Sequence, residues 1–226
     1  MSGTLAILPV KAFDRAKSRL APVLSAEMCE NLARHMATDA VRILTGTSGI
    51  DRVLIVGQGR EQAELASRFA CEYASDEPAL DISANLSRVV LKPDVQAAKQ
   101  FLIVPADLPC LCSGDYARLL NRHEGGVTIC SAARDRGTNA FLATSPMRMT
   151  FRFGSGSAAR HARAARAAGF RTILVDDLGF RRDIDTPEDL QWLCRQEVSS
   201  DTATYLRASG IAALFAEPAL CRGGVS

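Results

Sequence analysis

Asp183 and Asp185 stand in the segment Asp183-Ile184-Asp185-Thr186-Pro187-Glu188-Asp189-Leu190. Thr186 as an N-cap, Pro187 at the first helical position and acids in the first turn account for positions 186–189 as a helix start. Asp183 and Asp185 are left without a structural task. In an extended segment, side chains at i and i+2 project to the same side. Two carboxylates ~4 Å apart repel by roughly 4 kcal/mol at an effective dielectric of 20. A divalent cation removes that repulsion. A third acid, Asp107, sits in Pro105-Ala106-Asp107-Leu108-Pro109, directly after the strand-like Phe101-Leu102-Ile103-Val104. Its flanking prolines stiffen the backbone. Asp107, Asp183 and Asp185 would form an oxygen-only site, which suits Mg²⁺.

Two further segments could hold anions. Pro9-Val10-Lys11-Ala12-Phe13-Asp14-Arg15-Ala16-Lys17-Ser18-Arg19-Leu20 follows the first strand and places Lys11, Arg15, Lys17 and Arg19 close together. Such a loop can wrap a triphosphate, with lysines as point charges and arginines as forks, or it can be a solvated basic loop. It lacks the glycines of a Walker A motif. Gly154-Ser155-Gly156-Ser157 precedes a helix carrying Arg160, His161 and Arg163. Backbone N–H groups at a helix N-terminus form a ready anion site. Gly154, Gly156, Ser157 and His161 are the candidates there for holding a small anion. His161 falls four residues after Ser157, on the same helix face. The histidines show no metal-ligand spacing, which argues against zinc.

The elements that position these residues follow from periodicity. Apolar runs at Thr4–Pro9, Arg52–Val56, Phe101–Val104, Val127–Cys130 and Thr172–Val175 read as strands. Helical patterns fill Ser25–Ile43, Glu61–Phe69, Asp115–His123, Ala158–Ala168 and Pro187–Cys194, with Ser25 and Thr186 as caps. Continuous apolar strands alternating with helices predict an α/β fold with a mostly parallel central sheet and helices on both faces. Ligands then bind beyond the carboxyl ends of the strands. Gly57-Gln58-Gly59 reads as a turn. The predicted division is one α/β domain over 1–200 and a C-terminal helical tail over 201–226 with no assigned role.

Composition narrows the classes. Hydrophobic residues make up 47% and charged residues 23%, with a net charge of +2. That small excess, held in local clusters, argues against a nucleic-acid partner and suits small anionic substrates. The apolar stretches are too short to span a membrane, and the N-terminus lacks the pattern of a signal peptide. A cytoplasmic protein is expected. The 7 cysteines form no CxxC pair and are expected to be reduced thiols.

Taken in order, "LPVKAFDRAKSRL", "VPADLP", "GTNAFL", "FGSGSAARH" and "DIDTPEDL" resemble the CofC/FbiD guanylyltransferases of deazaflavin coenzyme (F-420) biosynthesis, over roughly residues 4–195. The resemblance implies a nucleotidyltransferase fold and Mg²⁺ as cofactor. It implies coupling of GTP to 2-phospho-L-lactate, phosphoenolpyruvate or 3-phospho-D-glycerate, with release of pyrophosphate. It makes Asp107, Asp183 and Asp185 metal ligands, with Asp107, Lys17 and Arg19 as the catalytic set. Pro9, Val10, Lys11, Lys17, Ser18, Arg19, Asn85 and Ala106 become nucleotide contacts. Thr138, Gly154 and Ser157 become acceptor contacts, with Asn139, Gly156 and His161 beside them as further candidates for holding the phosphorylated acid. Where the family has Gly-Leu-Asn near the nucleotide, this chain has Ser83-Ala84-Asn85. The resemblance also names a downstream transferase that consumes the product, and a second copy of the chain in a homodimer, as partners to look for. A related transferase with another nucleotide or acceptor, and a non-catalytic nucleotide sensor, are the alternatives.

Overall fold

Strand β1 (Thr4–Val10) sends alternate side chains to opposite faces. Ala6, Leu8 and Val10 enter one hydrophobic cluster, while Leu5 and Ile7 enter another. The same division runs through β2 (Arg52–Gly57), β4 (Gln100–Ile103) and β5 (Val127–Ser131). A sheet apolar on both faces must be covered on both. The computed structural model describes residues 3–215, and it shows that arrangement.

The sheet has seven strands in the order β3-β2-β1-β4-β6-β5-β7, with β3 at Glu72–Ser75, β6 at Thr138–Thr144 and β7 at Thr172–Val175. β1 pairs in parallel with β2 and β4. β2–β3 and β5–β7 are also parallel. β6 runs antiparallel to both β4 and β5. The expected mostly parallel sheet is present, with one reversed strand. Because β6 is reversed, its first residue, Thr138, lies near the ends of β4 and β1 that carry the ligand crevice. The chain moves outward from β1 to β2 and β3, then returns to β4 on the other side of β1. This reversal opens a crevice beyond Val10 and Ile103.

The helices are α1 (Ala26–Thr45), α2 (Arg60–Arg68), α3 (Ile82–Val90), α4 (Pro93–Gln96), α5 (Ser113–Asn121), α6 (Ser157–Ala167), α7 (Pro187–Cys194), α8 (Asp201–Ala208) and α9 (Ile211–Leu214). Ser25 caps α1 by accepting from the Met28 N–H at 3.2 Å. Thr186 and Asp189 form a reciprocal capping box at α7. Gly57-Gln58-Gly59 is the expected turn. At Gly57 the Val10 carbonyl lies where a Cβ would stand.

The segment set apart as a tail shares a core with the rest. Leu206 and Ile211 pack with Leu32 and Met36 of α1 and Leu190 and Leu193 of α7. Buried Asp39 of α1 accepts from the backbone N–H groups of Asp201 and Thr202 at 3.1 and 2.8 Å, and from the Thr202 hydroxyl at 2.6 Å. Residues 216–226 of the predicted tail lie outside the described residues. Among the described residues, no helix is long and apolar enough to cross a membrane. The described cysteines are free thiols.

Candidate active site

Asp107 lies just beyond β4, and a backbone bond fixes its neighbours. The Ile184 N–H donates to the Asp107 carbonyl at 3.1 Å. Ile184 is fully buried, so the extended segment turns Asp183 and Asp185 the other way, towards Asp107. One carboxylate oxygen from each of the three lies within 4.8 Å of the others. The i, i+2 reading of this segment thus gives the spacing that the structure has.

A cation already sits among these acids. Lys17 Nζ lies 2.7 Å from Asp107 Oδ2 and 3.0 Å from Asp185 Oδ1, with its side chain 7% exposed. The inward turn requires a left-handed backbone at Lys17, φ 56°, which costs a non-glycine residue roughly 1–2 kcal/mol. Two short 3₁₀ turns, Phe13–Arg15 and Ser18–Leu20, bracket it. Buried Phe13 and Leu20 anchor the loop to the core, so it is not a free basic loop. Burial by itself works against a charged Lys17, but the Asp107 and Asp185 carboxylates outweigh it and raise its pKa above 10.5.

The aspartates are not equivalent. Burial pushes the Asp185 carboxyl up, yet Lys17, Arg134 and Arg19 together hold it below its ordinary 3.8. Asp183 goes the other way: burial and the neighbouring Asp107 charge raise it, against a backbone hydrogen bond and Arg134. Arg134 reaches Asp185 Oδ2 at 3.3 Å, Asp183 Oδ2 at 3.6 Å and Asp189 Oδ2 at 3.7 Å. Arg19 reaches Asp185 Oδ2 at 3.5 Å from a largely exposed position. The Asp107 Oδ1 oxygen is buried and has no hydrogen-bond partner. A buried carboxylate oxygen left bare is costly. With Asp183 under-compensated beside it, the donor set fits a divalent metal.

A cavity of about 420 Å³ opens beside the cluster. Pro9, Val10, Lys11, Arg15, Lys17, Ser18 and Arg19 line it from the first loop, with Ala106, Asp107 and Asp185 at the carboxylate end. Thr138, Phe153, Ile82 and Leu86 complete the wall. The volume lies in the range of small-ligand sites.

Several expected contacts sit elsewhere. Asn85 is buried, and its amide is fully engaged. Oδ1 accepts from the Glu77 N–H, and Nδ2 donates to the Glu77 and Leu80 carbonyls. It holds the turn before α3 and does not line the cavity. Asn139 donates to the Phe180 carbonyl at 2.8 Å. The N–H groups expected to be bare at the start of α6 are satisfied from within. Those of Gly156, Ser157 and Ala158 donate to the carbonyls of Asp135, Gly154 and Arg136. Gly156 itself takes the left-handed φ of 69° that this entry needs. Ser157 and His161 are buried behind the wall and touch Thr138, each at 3.0 Å. Of the residues expected around the acid, Thr138 is the one on the cavity wall.

Comparison with known proteins identifies the chain. The family described as "Guanylyl transferase CofC like" matches residues 4–225. This chain belongs to the CofC family. It is 34% identical over 191 residues to a phosphoenolpyruvate guanylyltransferase of Roseiflexus castenholzii, covering 84% of this chain and 88% of the relative. It is 29% identical over 206 residues to a 2-phospho-L-lactate guanylyltransferase of Methanothermobacter thermautotrophicus, with 90% of each covered. Among solved structures, a protein of Desulfovibrio desulfuricans G20 assigned as a nucleotide-diphospho-sugar transferase superposes with a TM-score of 0.74 at 20% identity, covering 95% of this chain and 99% of that one. A cytidylyltransferase of Leptospira borgpetersenii does so with a TM-score of 0.54 at 11% identity, covering 94% of each. At such identities these two show the nucleotidyltransferase fold. The protein is an enzyme of the guanylyltransferase class.

Within this CofC-family site, two residues escaped the sequence reading. Arg134 looks like one more loop arginine in Ala132-Ala133-Arg134-Asp135-Arg136, and no local pattern says that it bridges three carboxylates. Phe153 precedes the glycine turn, and its N–H donates to Ser83 Oγ at 2.9 Å. That bond ties the segment before the glycine turn to α3.

Proposed function

We propose that this chain transfers the guanylyl group of GTP to the phosphate of a three-carbon acid, in deazaflavin coenzyme biosynthesis, with Mg²⁺ as its metal. The acid is 2-phospho-L-lactate, phosphoenolpyruvate or 3-phospho-D-glycerate. The observation that carries the reading is the bare, buried Asp107 Oδ1 beside Asp183 and Asp185, at the mouth of a cavity lined by cations. The names of the relatives, which act on phosphoenolpyruvate and 2-phospho-L-lactate, supply the acid.

In the reaction, an acceptor phosphate oxygen forms a bond to the α-phosphorus of GTP while the α–β bridging P–O bond breaks. Pyrophosphate leaves with the bonding electron pair. The attacking phosphate is already ionised, so no general base is needed, and among the described residues the cavity wall carries no Ser/His or Cys/His pair. Asp107, Asp183 and Asp185 would hold Mg²⁺, whose positive charge offsets repulsion between the two polyanions and the charge on the leaving group. Lys11, Arg15 and Arg19 bring mobile positive charge to the triphosphate. Lys17, seated on the carboxylates, keeps Asp107 and Asp185 aligned.

The test is a pyrophosphate-release assay with four nucleoside triphosphates against the three acids. We expect release with GTP and one or more of the acids. Release with a different triphosphate alone, or with none of the acids, would overturn the substrate reading.

A further inference from the structure

We propose that His161 is a positioning residue that fixes the Thr138 hydroxyl as a hydrogen-bond donor aimed into the cavity, where it meets an anionic oxygen of the acid. The role in the reaction rests on the acceptor reading above. The proton arrangement rests on hydrogen-bond bookkeeping alone.

The Arg152 backbone N–H can only donate, and it lies 3.0 Å from His161 Nε2. Nε2 must therefore present its lone pair, and in the neutral ring the proton is on Nδ1. The surroundings hold the ring neutral. His161 is 1% exposed and meets Phe141, Phe151 and Phe153 edge to face. Burial, helped by the Arg160 charge, takes its pKa down to about 4.

Nδ1–H then donates to Thr138 Oγ1, 3.0 Å away. Ser157 Oγ lies 3.0 Å from the same oxygen. The Ser157 side chain is fully buried, and among the described residues Thr138 is its hydrogen-bond partner. Leaving the serine proton unpaired there would be costly, so Ser157 also donates to Thr138. A hydroxyl oxygen accepts two hydrogen bonds and donates one. With both acceptor positions of Thr138 filled from behind, its own proton is left for the cavity that Thr138 lines. A freely rotating threonine could turn a lone pair outward and repel a phosphate or carboxylate oxygen. Here two buried donors exclude that rotamer. His161 thus serves the acid without touching it.

Two measurements test this. The ¹⁵N spectrum of histidine-labelled wild-type enzyme reports the tautomer without any substrate. We expect the neutral Nδ1–H form at pH 7, and a neutral Nε2–H form or a charged ring would overturn the proposal. The second compares His161→Leu with His161→Gln, whose amide can both donate to Thr138 and accept from Arg152. We expect the leucine variant to raise the KM for the acid roughly tenfold, the effect of one lost hydrogen bond to a charged group. Its KM for GTP should change little, and glutamine should restore most of the loss. Equal KM values for the acid in the two variants would reduce His161 to packing and overturn the proposal. A wild-type enzyme inactive on all three acids would sink the substrate reading instead, and the nitrogen spectrum would still judge the proton arrangement.

Discussion

Replacing Lys17 by methionine keeps the length of the side chain and removes the ammonium held 2.7 Å from Asp107 and 3.0 Å from Asp185. Breaking a buried ion pair by deleting one partner costs about 3–5 kcal/mol. The two carboxylates are 25% and 31% exposed, so water takes up part of that loss. We expect roughly 1–3 kcal/mol for the metal-free protein. In a domain of this size, about 2 kcal/mol lowers Tm by roughly 4–8 °C. The decisive comparison is the same pair of proteins in excess Mg²⁺. A divalent ion among Asp107, Asp183 and Asp185 replaces the missing positive charge, so the deficit of Lys17→Met should narrow markedly. Ligand-linked stabilisation grows with metal concentration, and the variant should gain more from it than the parent. Thermal melts in EDTA and in a series of Mg²⁺ concentrations read this directly. A deficit of equal size with and without Mg²⁺ would refute the idea that ammonium and metal neutralise the same acids. So would a variant that melts with the parent in EDTA.

Asp107→Asn and Asp185→Asn should leave the fold intact, weaken Mg²⁺ binding in calorimetry and lower turnover by orders of magnitude; parental turnover in either would remove that aspartate from the metal set. Asp39→Ala strips the acceptor from two backbone donors and a hydroxyl at α8. It should cost about 1–3 kcal/mol in urea denaturation while KM for both substrates holds, and a shift in KM would tie the C-terminal helices to the site. His161 gives a pH dependence with a definite sign. Its folded pKa of about 4 lies below the free value of 6.5, so between those values the unfolded chain holds a proton that the folded chain does not. Stability is therefore full above pH 6.5 and falls as pH drops towards 4, by ~3 kcal/mol in all. Denaturation midpoints at pH 7 and 4.5 should move less in His161→Leu than in the parent, and an equal slope in both would place the acid sensitivity elsewhere.

Much of the architecture was legible because apolar strands and amphipathic helices carry their own period. β1, β2, β4 and β5 stand where burial on both faces demands continuous apolar runs, and the edge strand β7 carries such a run although none of its residues is buried. β3 escaped because its four residues, Glu72–Ser75, include exposed Tyr73 and Ser75 and offer too little apolar surface to register. β6 escaped for another reason. Thr138–Thr144 is almost wholly buried, but its polar start invited a binding-loop reading. Strand direction is a matter of pairing, which no local pattern encodes. The carboxylate cluster was legible because capping rules explained positions 186–189 and left Asp183 and Asp185 over.

The side expected to hold the acid was less legible, and the reason is physical. Small polar residues near a crevice satisfy one another before they can serve a ligand. The Gly154–Ser157 turn carries the composition of an anion nest, but the Gly156 N–H donates to the carbonyl of distant Asp135, the Ser157 N–H to that of Gly154, and the Ala158 N–H just after them to that of Arg136. Asn85 goes to the turn before α3 by the same logic. Lys17, one of four cations in its loop, faces inward through a backbone angle that the burial of Phe13 and Leu20 imposes. Residue type therefore says which groups could bind an anion, while tertiary contacts decide which still have a proton to give. Among the residues expected there, the count leaves Thr138. Its neighbours His161 and Ser157 matter because their hydrogen bonds leave its proton free for the cavity.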